Sequence, residues 1–172
     1  MPGKSIGIIM NAGYPGNVSR SVDAIIHNRE VKLADELSIE FGAPAVLNND
    51  NTYSRFGAAN VAVDFAGIAV REVKQTADYF TSEGEYLPGQ PCDVIERGSV
   101  TVFCAEGTPL SGGKVYVVTV AGTYVAVGDL VATATPAGVG CTTIELTNCR
   151  WTTGVMDSDR VAEMTILSRN NA

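Results

Sequence analysis

The chain has 172 residues, 45% hydrophobic and 18% charged, with 19 acidic against 12 basic side chains and a net charge of −7. A chain of this length buries about 70% of the surface its unfolded form exposes, so it needs neither metal nor disulfide to fold. The acid excess is spread evenly, with 11 acidic and 7 basic residues in 1–90 and 8 and 5 in 91–172, and no cluster of Lys or Arg. Nucleic acid and anionic membranes are bound through clustered cations, so neither is expected as a partner.

In chain order, residues 1–20 read as an arm. Gly, Pro, Asn and Ser dominate from Asn11 to Ser21, including Gly13-Tyr14-Pro15-Gly16-Asn17, turn formers with no periodic apolar face. The opening run Ile6-Gly7-Ile8-Ile9-Met10 is too short for a membrane span and lacks the features of a secretion signal. The expectation is a protein made in the cytoplasm that stays there or leaves inside something larger.

Residues 22–35 stay open, with Val22, Ile25, Ile26 and Leu33 loosely at helical spacing. Glu36 to Phe41 alternates polar and apolar, which predicts a half-buried strand, and Gly42-Ala43-Pro44 is read as its end. Leu47-Asn48-Asn49-Asp50-Asn51-Thr52 is an exposed loop, because Asn and Asp bond locally to the backbone in preference to regular structure. Asn60 to Val73 alternates as a long strand interrupted near Gly67, and Thr76 to Gln90 is weakly patterned.

Pro88-Gly89 turns the chain into its most regular part. Val94-Ile95 and Val100 to Cys104 bracket Glu96-Arg97-Gly98-Ser99, the signature of a hairpin. Strands follow at Lys114–Val120, Thr123–Val127 and Leu130–Ala134, with a loop over 136–140. Thr143–Thr152 and Val161–Leu167 make a last pair. Short strands at close intervals without βα alternation predict a mainly β chain: a small barrel or sandwich over about 86–172, an arm over 1–20, and an additional β layer over 21–85.

The chemical inventory is thin. His27 is the only histidine and has no local nucleophile or orienting partner. Cys92, Cys104, Cys141 and Cys149 contain no Cys-x-x-Cys pair and lie in or beside apolar β-like runs, where thiols serve as small hydrophobes, with a disulfide as the open alternative. The acidic pairs Asp35/Glu36, Glu83/Glu85 and Asp157/Asp159 lack the ligand spacing of a calcium loop. Ser111-Gly112-Gly113-Lys114 leads into a strand, so it cannot cradle phosphate on a helix N-terminus. Trp151, the only tryptophan, suits a core position or an interface anchor. No catalytic, cofactor-binding or metal-binding residue is nominated, and the chain is read as a non-enzyme without cofactors.

Tyr86-Leu87-Pro88-Gly89-Gln90-Pro91, then Val94-Ile95-Glu96-Arg97-Gly98-Ser99-Val100-Thr101-Val102, resembles a pattern of tailed-bacteriophage capsid cement (decoration) proteins. So do the Gly-led strand Gly113-Lys114-Val115-Tyr116-Val117 and the closing Cys149-Arg150-Trp151-Thr152-Thr153-Gly154 with Val161 to Leu167. Pro15 to Arg20 and Ile39 to Pro44 resemble the arm and first strand of such proteins, more loosely. The resemblance implies a homo-oligomeric virion protein, dimer or trimer, on the outer face of the expanded head, bridging major capsid protein subunits. The Asn11–Ser21 arm and the Leu47–Asn60 loop are the candidates for reaching neighbours. Two other readings remain beside it: another virion component (fibre base or minor tail protein) or a carbohydrate-binding β module, and an enzyme on a small β scaffold.

Overall fold

The structure, a computed structural model, describes residues 13–71 and 84–168. The first part of the arm, Val73, the stretch 76–83 with Glu83, and the last four residues lie outside the described residues. The described residues form eleven strands: β1 Val18–Glu30, β2 Ile39–Glu40, β3 Pro44–Leu47, β4 Tyr53–Arg55, β5 Phe65–Ala69, β6 Glu85–Tyr86, β7 Pro91–Phe103, β8 Lys114–Val120, β9 Leu130–Val131, β10 Thr142–Trp151 and β11 Val161–Ile166. A single 3-10 turn, Ala62–Asp64, precedes β5. Strands β4-β3-β5-β7-β11-β10-β8-β9 run in that order in one sheet, β1 joins it on β7, and β2 and β6 form a second, two-stranded sheet. The mainly β, barrel-like fold expected from the alternation is the fold observed.

The main sheet takes strands from both sides of Pro88-Gly89, and β7 is its hub, pairing with β1, β5 and β11. A bridge between Val31 and Tyr53, with Lys32 N–H donating to the Tyr53 carbonyl at 2.8 Å, ties the end of β1 to β4. Strands β1, β4, β3, β5 and β7 thereby close a ring. It encloses Val31, Ala45, Tyr53, Ala69, Cys92 and Val94, capped by Ile39 and Tyr86 of the small sheet. The larger core gathers Phe56, Phe65, Ile95, Val100, Val102, Leu146, Trp151, Met164 and Ile166.

The predicted hairpin at Glu96–Ser99 is instead a bend within one 13-residue strand. Ile26 pairs with Ile95 but Ile25 with Arg97, so Glu96 is an extra residue, a β-bulge. Gly98 follows with φ of 122°, a conformation L side chains rarely adopt. The bend is large: an extended chain would part Val94 from Thr101 by about 23 Å, yet Gly16 lies against both the Ala69 carbonyl, next to Val94, and Thr101. Arg-Gly between two apolar runs looks the same in sequence whether the chain bends or reverses.

Other expectations shift for local reasons. Residues 22–30 belong to β1, and Glu36–Phe41 contributes only the two residues of β2. Pro44 does not end pairing but opens β3, opposite Ile68, at a first-residue position where a missing N–H does no harm. Of the two strands expected at 123–134, only Leu130–Val131 pairs; Thr123–Val127 is loop, its Gly122 N–H bonding to Val125 within the turn.

Candidate interaction surface

Several side chains singled out in the sequence have structural roles among the described residues. Cys92, Cys104, Cys141 and Cys149 are not joined in disulfides; three of them are buried and Cys141 is half-buried. Burial pushes the Cys104 and Cys149 thiols up, away from the reactive thiolate. Asp157 accepts from the N–H groups of Asp159 and Val161 at 3.0 and 2.8 Å, so it caps its own turn. Glu85 takes the Ser38 hydroxyl, tying β6 to the residue before β2. Among the described residues, no three His, Cys, Asp or Glu side chains gather as a metal site. Trp151 is a core residue.

One polar cluster was not legible in sequence. His27 Nδ1 lies 2.9 Å from Glu96 Oε1, and Arg29 stacks over the Tyr53 ring at 5.5 Å. The Tyr53 phenol is pushed up by burial first and by the Glu96 carboxylate second. His27, Arg29 and Glu96 come from paired strands, and Tyr53 reaches them only because β4 closes the ring. The separation of 69 positions between His27 and Glu96 left no local motif to find.

Arg29 and Glu96 of this cluster line an open groove of about 560 Å³, together with Leu47, Val63, Asp64, Phe65 and Ala66. Leu47 and Val63 are exposed beside the charged Arg29, Asp64 and Glu96, and Val61, next along the turn, is exposed as well. The strand β5 can form this wall because Gly67 has no side chain to strike β7. Asp64 accepts from the Val61 N–H at 2.9 Å, which holds the Val61–Val63 turn on the rim. A mixed lining, with exposed Leu47 and Val63 beside Arg29, Asp64 and Glu96, is a composition of protein-binding surfaces.

The two candidate reaching segments differ. The Leu47–Asn60 loop folds on itself: Asn48 donates to Thr52 and Ser54 side chains, and Asn49, Asp50 and Asn51 are exposed at its tip. In the described part of the arm, Gly16 N–H donates to the Thr101 carbonyl and the Gly16 carbonyl accepts from Arg71 N–H, both at 2.7 Å, while Arg71 stacks on Tyr14.

A curled all-β unit with this architecture is a known capsid fold. The structure aligns with a chain described as "The capsid of Myoviridae Phage XM1" with a TM-score of 0.69 and 16% sequence identity, covering 94% of each chain. A profile of the XM1 gp53 minor capsid protein family matches residues 3–166, and the chain belongs to that family. It is therefore a phage capsid-associated protein with a structural place in the virion, as the turn-and-strand resemblance implied. No curated protein matches the sequence.

Proposed function

We propose that this chain is a capsid cement protein, which binds the outer surface of the expanded head and holds neighbouring major capsid protein subunits together. The observation that carries the reading is membership of a minor capsid protein family over nearly the whole chain, with the side-chain chemistry of the described residues committed to structure. The groove beside β5 is the proposed grip. Burying Leu47 or Val63 against a capsid segment contributes about 1.5–3 kcal/mol each, and many copies in one lattice multiply a modest affinity. The reading is non-enzymatic, and it includes a homo-oligomer.

The test is to count this chain against the major capsid protein in purified virions by quantitative mass spectrometry, then add purified protein to heads stripped of it. A simple lattice ratio, with restored resistance to heat, supports cement. A few copies per particle would instead indicate a fibre or tail component. Val63→Asp, on the groove rim, is expected to weaken head binding about tenfold or more.

A further inference from the structure

From Val115 to Ile144 the chain carries a single charged residue, Asp129, in 30 positions, although 18% of the whole chain is charged. The structure gathers much of this stretch at the far end of β8 and the near end of β10. Thr123 N–H donates to the Ala137 carbonyl at 2.8 Å, which locks the 121–126 loop to the 134–141 loop. Contact this close requires glycine twice: a Cβ on Gly122 would come within 2.5 Å of the Ala137 carbonyl, and one on Gly138 within 2.7 Å of the Thr123 nitrogen.

The joined loops anchor Val125 in the core and leave other apolar side chains exposed. Val139 is 108% exposed, Tyr124 78% and Val120 47%, with Ala121, Ala126, Ala137 and Thr142 exposed around them. Two carboxylates border the face and both are turned to backbone: Asp129 accepts from Ala126 N–H at 2.7 Å and Glu106 from Ala137 N–H at 2.8 Å.

We propose that this face is where a second copy of the chain docks. An acidic protein of net charge −7 repels its own copies wherever its carboxylates would meet. Near a two-fold axis each residue faces itself, so a charge there meets its own sign. A face free of charge is the one such a chain can present to itself, and a partner of opposite charge would select no such depletion. Charge depletion around an exposed tyrosine is also the composition of interface cores.

The inference deepens the cement reading by naming the homo-oligomer contact, and its test uses no capsids, so each can fail alone. Light scattering coupled to size exclusion, across micromolar concentrations, is expected to give a wild-type oligomer. Val139→Asp and Tyr124→Asp are expected to raise the dissociation constant about a hundredfold or more, with Trp151 emission and melting temperature unchanged. Should an aspartate variant unfold, Val139→Ser is read instead, and a smaller weakening is expected. Val63→Asp, in the groove, is expected to leave the oligomer intact. A wild-type monomer throughout, or folded variants that associate as tightly as wild type, would overturn the proposal.

Discussion

Gly67 packs its α-carbon directly against the backbone of Ile95: a Cβ there would lie 2.1 Å from the Ile95 carbonyl oxygen and 2.8 Å from its carbon. Both obstacles are backbone in the strand that holds the sheet together. Gly67 is also not among the glycines with positive φ, so steric approach, not conformation, forbids a side chain. Gly67→Ala is therefore expected to cost about 2–3 kcal/mol or more, because neither strand can yield without breaking its ladder. Urea titration followed by Trp151 emission measures it. Gly84→Ala, where nothing lies within 4 Å, is the control and is expected to stay within about 0.5 kcal/mol of wild type.

Glu163 of β11 is buried, and its Oε1 accepts from the Ser19 hydroxyl at 2.7 Å and from Arg20 Nε at 3.1 Å. It fastens the start of β1 to the body of the sheet. Arg20 is 69% exposed, so the ion pair itself adds little, and most of the effect comes from the Ser19 bond. Glu163→Ala is expected to cost about 1–3 kcal/mol. Hydrogen exchange near Val18–Arg20 should rise more than in β10.

Alkaline pH is expected to unfold the protein earlier than its surface charge would suggest. The Tyr53 phenol, ordinarily near 10, is held higher in the fold by burial and by Glu96. The unfolded chain releases that proton first, so the Tyr53 contribution to stability is complete below about pH 10 and falls as pH rises beyond it. The buried Cys104 and Cys149 thiols, ordinarily near 9, are raised too and move the onset in the same direction. Tyr53→Phe is expected to flatten part of the decline; an unchanged pH profile of melting temperature would count against this account.

Thiol labelling should sort the cysteines by burial. Cys141 is expected to react with iodoacetamide in the native state, while Cys92, Cys104 and Cys149 wait for unfolding. Peptide mass mapping over a time course reads this directly.

Much of the fold was legible because alternation encodes it locally. Lys114–Val120 and Val161–Leu167 were recovered nearly residue for residue, since short runs of β-branched and apolar residues between turn formers mark a strand even where both faces are buried. The bend at Gly98 was not: bulge and hairpin share the same glycine, and the partners that choose between them, Ile25, Ile26 and Ile166, lie dozens of residues away. The groove was half visible, in that the Leu47–Asn60 loop was singled out, while Glu96 in its lining read as the tip of a turn.

What the sequence determined by itself was the β class, the absence of any basic footprint, and a turn-and-strand pattern of capsid type, because composition and period are properties of neighbours along the chain. Tertiary structure alone decided that β7 serves three strands, that His27 meets Glu96, and that Thr123–Val127, read from sequence as a strand, is a loop joined to the 134–141 loop in one uncharged face. Those outcomes depend on which backbones come close enough to touch, and at Gly67, Gly98, Gly122 and Gly138 that approach is permitted by a missing side chain whose consequence appears only when the other strand arrives.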